Sequence, residues 1–180
     1  MNAPCPKLLE KISFYAKQKG RKNYCLFLLT YQGGLRVSEA ISFDFRVQKN
    51  SFYLVKSKGK FRSVYVSQEV IQKLKIYHWQ PNSHTRFGFY KFLRRVRKEL
   101  KISLEIELSP HTLRRCWTTY YANQGVPLPV LQKALGHSSV RTTALYWKLQ
   151  NNSTEGKSEK EVSQVVIREW LERRVLVFKN

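Results

Sequence analysis

The chain has 180 residues, enough for one or two domains with a real core, and 42% of them are apolar. It carries 33 Lys and Arg against 12 Asp and Glu, a net charge of +21, which in a folded chain points to a polyanion, nucleic acid ahead of an anionic membrane surface. No apolar run reaches the ~20 residues of a membrane span, the N-terminus lacks a signal-peptide core, and Cys5, Cys25 and Cys116 are too scattered for a disulfide framework or a zinc site.

In chain order, Pro4 and Pro6 mark a loose entry, and Lys7 to Lys17 places Leu8, Leu9, Ile12 and Tyr15 at helical spacing. Gly20 breaks that helix. From Asn23 to Gln32 the density of Tyr24, Leu26, Phe27, Leu28 and Leu29 predicts a helix buried on most sides, ended by Gly33 and Gly34. Leu35 to Phe45 opens with Arg36 and continues as a short helix through Ser38, Glu39 and Ile41. Two runs rich in Val, Tyr and Phe, Ser51 to Val55 and Arg62 to Val66, flank a basic turn containing Gly59 and read as an antiparallel hairpin. Its tip, KSKGK with Arg62 beside it, would make a basic finger suited to a DNA groove, although a lysine at a hairpin tip is more often a solubilising charge.

Ser67 to His78 is amphipathic through Val70, Ile71 and Leu74, and Trp79 to Ser83 reads as a loop. The next helix, Thr85 to Leu100, sets Phe87, Tyr90, Phe92, Leu93 and Val96 against Arg94, Arg95, Arg97 and Lys98, a face that is either solvated or laid on a DNA backbone. Ser109 followed by Pro110 is a helix start that puts His111 and Arg114 on one face. Cys116 on that helix reads as a small buried residue rather than a nucleophile. Gly125, Pro127 and Pro129 stop one helix and start another, which ends at Gly136 with His137 just beyond it. A further short helix capped by Ser138 and Ser139 would carry Tyr146. Taken singly, each of these side chains has an ordinary structural use: His111 at a helix start, Arg114 on a surface, His137 at a C-cap, Tyr146 half-buried.

Their order is what distinguishes them. SPHTLRR, then LGHSS, then TTALY, with Tyr146 nine residues after His137, resembles the second half of the tyrosine-recombinase or phage-integrase catalytic domain. GGLRVSEA from Gly33 to Ala40 and KSKGKFRS from Lys56 to Ser63 are similar to the two earlier boxes of that family, so the likeness covers roughly residues 22 to 148. One departure is Arg115, where many relatives have His.

The resemblance implies a fold of the α+β class, mostly α-helical, with a small antiparallel hairpin or sheet, and a reaction in which DNA is cut and rejoined through a 3′-phosphotyrosyl intermediate. It assigns Arg36 and Arg114 to the nonbridging phosphate oxygens, with His137 as a third donor, because planar guanidinium forks suit charge building on phosphate. Tyr146 would be the nucleophile and His111 its general base, since a phenol with a reference pKa near 10 must lose its proton during attack. The leaving 5′-oxygen would take a proton from Lys58, with Lys60 as second choice because the turn is one residue shorter than usual. Glu39 would stand behind these groups, holding Arg36 or His137. Candidate DNA contacts are Lys56, Lys58, Lys60, Arg62, Arg94, Arg95, Arg97, Lys98, Arg115 and Arg141. Neither a cofactor nor a metal is expected, because His78 and His84 have no ligand-like spacing with other residues.

The expected organisation is a catalytic domain over residues 1–149, a polar linker over 150–162, and an amphipathic docking helix over 163–180 that carries Val165, Val166, Ile167, Trp170 and Leu171. No separate N-terminal DNA-clamping domain is evident in the sequence, so the expectation is a fragment, a naturally minimal enzyme, or a clamp supplied by a partner. Double-stranded DNA is the expected partner, with a tetrameric synapse joined by the terminal helix implied by the resemblance; folding of that helix onto its own domain is the alternative. The cysteine usage and charge suit a cytoplasmic, nucleoid-associated protein, with organellar or viral origin left open. Two other functions carry part of the pattern: a type IB-like topoisomerase, which shares the residue set, and a non-catalytic DNA-binding regulator derived from a recombinase. A basic RNA-binding protein explains the charge alone.

Overall fold

A computed structural model of the chain describes residues 3–49, 52–57 and 59–135. It divides into two compact units, the first running up to Trp117 and the second beginning at Thr118.

The first unit starts with α1 (Pro6–Lys19), where Pro6 occupies the first turn and needs no N–H partner. Leu9, Ile12, Tyr15 and Ala16 form its buried stripe. Helix α2 (Arg21–Tyr31) is buried on nearly every side from Tyr24 to Thr30, as its continuous apolar run predicts. Leu26, Phe27, Leu28 and Leu29 are fully buried, and each such side chain contributes about 1.5–3 kcal/mol of burial free energy. The Thr30 hydroxyl in this stretch donates to the Leu26 carbonyl at 2.7 Å. α2 is therefore the axis of the unit, and α1 and the helices over Val37–Ile41, Gln68–Ile76 and Arg86–Glu99 pack against it.

Helix α3 (Val37–Ile41) follows the Gly33–Gly34 turn. A three-stranded antiparallel sheet comes next, β1 (Gln48–Lys49), β2 (Phe52–Ser57) and β3 (Lys60–Val64), in that spatial order. The hairpin matches the sequence reading, but its strands run into the expected tip, so that Lys56 and Lys60 lie within β2 and β3; β1, only two residues long, is an addition to that reading. Ser57 pairs with Lys60, leaving two residues between the strands, of which Gly59 takes φ +79°, a left-handed conformation that suits glycine. In β3 alternate residues face opposite ways: Val64 is buried and Phe61 is 70% exposed.

Ser67 caps α4 (Gln68–Ile76), its hydroxyl accepting from the Val70 N–H at 3.4 Å. Thr85 caps α5 (Arg86–Glu99) through the Gly88 N–H at 3.0 Å. Between them, the segment that reads as a loop buries Trp79, whose indole N–H donates to the Phe43 carbonyl at 2.9 Å. The Asn82 N–H donates to the Ile41 carbonyl at 2.7 Å, so this loop buttresses the C-terminal end of α3. On α5, Phe89, Phe92, Leu93 and Val96 supply the core face.

Helix α6 (Pro110–Asn123) begins in the first unit and continues into the second. In the second unit α6 ends at a turn where Gly125 takes φ +80° and the Val126 N–H donates to the Tyr121 carbonyl. Helix α7 (Leu128–Leu135) starts after Pro127, and Ala122, Val126, Val130, Leu131 and Leu135 are buried. Tyr120 and Tyr121 meet edge to face at 5.1 Å. Among the described residues no helix is long and apolar enough to cross a membrane.

Candidate active site

The site assembles around one carboxylate. Glu39 lies in the first turn of α3, where its Oε2 accepts from the Arg36 backbone N–H at 2.8 Å and so ties off the helix start. The same side chain is fully buried and receives three guanidinium groups from three different elements. Arg36, at the N-cap of α3, donates Nη1 to Oε1 at 2.7 Å. Arg62, in the middle of β3, closes a two-pronged contact with Nε to Oε1 at 3.0 Å and Nη2 to Oε2 at 2.7 Å. Arg114, in α6, reaches Oε2 with Nη1 at 3.4 Å and donates the same nitrogen to the Gly34 carbonyl at 2.8 Å.

The turn before Arg36 explains why glycines stand there. Gly34 has φ +62°, and a Cβ on it would lie 2.7 Å from Cδ2 of the Trp117 ring. A Cβ on Gly33 would lie 2.7 Å from the Leu29 carbonyl oxygen. Backbone and helix α6 thus approach to a distance that no other residue permits, and that approach brings the Gly34 carbonyl to Arg114, one helical turn before Trp117.

Three guanidiniums converge on one carboxylate in a largely desolvated site. Burial pushes the Glu39 carboxyl up, but hydrogen bonding and charge from Arg62, the Arg36 N–H and the Arg114 charge outweigh it and bring the pKa down to about 2. Glu39 is therefore ionised at every physiological pH. Side-chain exposure rises from 7% for Arg114 through 15% for Arg62 to 30% for Arg36, so Arg36 projects furthest toward solvent. Fixed, paired guanidiniums of this kind are preorganised to bind phosphate oxygens.

His111 is exposed on the first turn of α6, three residues before Arg114. That turn is capped by Ser109, whose Oγ accepts from the Thr112 N–H at 3.1 Å and donates to Glu107 at 3.1 Å. Glu107 is held below the usual carboxylate range by hydrogen bonding from Thr112, then Ser109, with the Arg115 and His111 charges adding to the effect. Arg115 Nη1 lies 3.5 Å from Glu107.

Of the remaining candidate contacts, Arg94, Arg95 and Lys98 are exposed on α5, and Lys56 is exposed on β2. Arg97 is occupied otherwise: its guanidinium donates to the carbonyls of Ser103 at 2.6 Å and Ile106, fastening the loop after α5. Lys60 opens β3. Cys116 is buried, and burial pushes its thiol up to about 11, which leaves essentially no thiolate at neutral pH. Lys58, His137, Arg141, Tyr146, the linker over 150–162 and the helix expected over 163–180 lie outside the described residues. Among the described residues no three His, Cys, Asp or Glu side chains cluster as a metal site would.

Two participants are not marked in the sequence reading. Arg62, grouped there with the tip lysines, is placed at Glu39; the signal was its position two residues before Val64, on the inward face of an alternating strand. Glu107 lies before the α6 cap and is seen only once Thr112 and Ser109 turn toward it.

A helical domain with a small antiparallel sheet and arginines gathered from α3, β3 and α6 has the fold of tyrosine-recombinase catalytic domains. The structure of XerH site-specific recombinase bound to palindromic difH substrate matches it with a TM-score of 0.67 at 20% identity, over 83% of this chain and 50% of that one. The catalytic domain of bacteriophage HP1 integrase matches at 0.63 and 18% identity, over 84% of this chain and 89% of that one. The phage integrase family pattern matches residues 6–153, and the chain belongs to that family. The match starts at α1, earlier than the boxes from residue 22 onward suggest. Among its relatives are tyrosine recombinase XerC of Chlamydia pneumoniae, 30% identical over 156 residues, and tyrosine recombinase XerD of Lacticaseibacillus casei, 30% identical over 155 residues. These alignments cover 73% and 75% of this chain but 48% and 53% of the relatives, so the chain spans about half the length of the curated relatives it matches.

Proposed function

We propose that this chain is the strand-cutting and rejoining part of a site-specific DNA recombinase or integrase. The observation that carries the reading is the meeting of Arg36 and Arg114 at one buried carboxylate, with Arg114 75 residues beyond Glu39 in the sequence. In this reading the two guanidiniums hold the nonbridging oxygens of a DNA phosphodiester, and His137 adds a third donor. The Tyr146 oxygen forms a bond to phosphorus as the bond from phosphorus to the 5′-oxygen breaks. The phenolic proton passes to His111, and Lys58, or Lys60 in its place, gives a proton to the departing 5′-oxygen. A 5′-hydroxyl then attacks the 3′-phosphotyrosyl ester in the reverse sense, and because that ester conserves the energy of the broken linkage, rejoining needs no external energy source.

The net charge of +21 and the basic side chains exposed on α5 and β2 support binding of duplex DNA through its phosphates. Several solved structures of the same fold are described as DNA complexes, among them XerH with difH and the Tn1549 transposon integrase with transposon end DNA. Assembly as a tetramer through residues 163–180, and an accessory DNA-clamping partner, belong to the same proposal.

The test is covalent trapping. A nicked substrate, built on a site the chain is shown to bind, loses a short oligonucleotide on cleavage and leaves a protein–DNA band that survives denaturation. The band forms in EDTA with wild type, and Tyr146→Phe binds the site but forms none. A band that persists in Tyr146→Phe, or maps to Tyr120, Tyr121 or Cys116, refutes the assignment.

A further inference from the structure

Arg62 makes the best-formed of the three contacts to Glu39. It meets both carboxylate oxygens, at 3.0 and 2.7 Å, while Arg36 meets one with its side chain and Arg114 stands at 3.4 Å. A carboxylate offers about four acceptor sites, and the Arg36 N–H, the Arg36 guanidinium and the two prongs of Arg62 fill that number. Arg114 makes the longest of the three contacts and shares the same nitrogen with the Gly34 carbonyl. Arg62 also connects elements 23 residues apart: it belongs to β3, opposite Val55 of β2, whereas Glu39 belongs to α3. Lys60 stands two residues before it in the same strand, next to the turn. A slip of one residue in the hairpin would bring Phe61 to this place and break the tie.

We infer that Arg62 is a positioning residue for the reaction proposed above: by occupying both oxygens of Glu39 it registers the lysine-bearing β2–β3 hairpin to the Arg36 and Arg114 pair. The role rests on the recombinase reading, and it is distinct from DNA contact by the basic hairpin tip. Among the described residues, the charged groups facing Glu39 are Arg36 from the start of α3, Arg62 from β3 and Arg114 from α6. When the Arg62 charge is removed, less opposes the burial of Glu39 and its carboxyl rises, so acid more readily neutralises it and releases Arg36.

Single-turnover formation of the Tyr146 adduct, on a site the chain binds, is measured in wild type, Arg62→Gln, Glu39→Gln and the double variant. Arg62→Gln should slow the adduct on the order of 10²-fold, the loss associated with displacement of reacting groups by about 1 Å. Its affinity for the site should be nearly unchanged, and its rate relative to wild type should fall further as the pH is lowered toward about 5. The double variant should be no slower than Glu39→Gln alone, because Arg62 acts through that carboxylate. If Arg62→Gln shows no cooperative melting transition, Arg62→Lys, which keeps the charge but not the fork, is read with the same assays and should be slowed with a smaller acid dependence. Equal rates and pH profiles in wild type and the Arg62 variant, or losses that add in the double variant, overturn the inference while wild type still reacts. Failure of wild type itself to form the adduct on a bound site overturns the recombinase reading instead.

Discussion

Replacing Glu39 by Gln keeps the shape of the side chain and removes the charge on which three guanidiniums converge. The carboxyl is lowered from 4.5 to about 2 despite its burial. At about 1.4 kcal/mol per unit, the folded state gains roughly 3 kcal/mol from the ionised form at neutral pH. Breaking a buried ion pair on one side costs about 3–5 kcal/mol, the same scale. A chain of this length loses about 2–4 °C of melting temperature per kcal/mol, so Glu39→Gln should melt roughly 6–12 °C lower at pH 7. The sign of the pH dependence follows from a folded pKa below the unfolded one. The stabilisation is complete above the ordinary value of 4.5, declines below it, and is lost as pH falls through about 2. Urea unfolding of both proteins from neutral to acid pH should therefore show two curves that converge on the acid side. Equal stability at neutral pH, or a gap that stays constant into acid, would refute the reasoning.

Gly34→Ala adds a Cβ 2.7 Å from the Trp117 ring at a φ of +62°; strain and overpacking together should lower urea stability by about 2–4 kcal/mol, and a loss under about 0.5 kcal/mol would show that the turn does not need glycine. Lys58→Ala should abolish adduct formation on ordinary DNA and be rescued by a 5′-bridging sulfur, whose departure needs no proton; rescue of Lys60→Ala instead, with Lys58→Ala near normal, moves the general acid to Lys60. Binding to duplex DNA should weaken with salt at a slope of log affinity against log concentration of roughly −5 to −7, as expected for six to eight neutralised phosphates, and a salt-independent affinity would remove the electrostatic basis of the reading.

Much of the helical framework is legible before any coordinates because its causes are local. Pro6 and the Ser67, Thr85 and Ser109 caps start α1, α4, α5 and α6 close to the expected places. The apolar run of α2 predicts its burial, and the short strands flanking Gly59 predict the hairpin. Strand β1 was not legible: two residues carry no periodicity, and they become a strand only because the edge of β2 accepts them. Trp79 was also missed, since a tryptophan amid Gln, Pro, Asn and Ser reads as loop, whereas its ring joins the core and its indole N–H is satisfied by the Phe43 carbonyl.

The sequence by itself determined the family and the order of its boxes, because chemistry at a phosphate demands particular side chains and leaves them as recognisable residues at characteristic spacings. It determined too that Arg36 and Glu39 share a helix turn, since a separation of three residues is a matter of helical geometry. What only the tertiary structure decided is which charges neutralise one another. Arg62 could equally have joined the basic tip, and Arg97 a DNA-facing row, until strand register turned the first onto Glu39 and the packing of α5 turned the second onto the carbonyls of the following loop. A guanidinium sits at the end of a long flexible side chain, so its partner is set by which burial-enforced acceptors come within reach, and those arise from segments far apart in the chain.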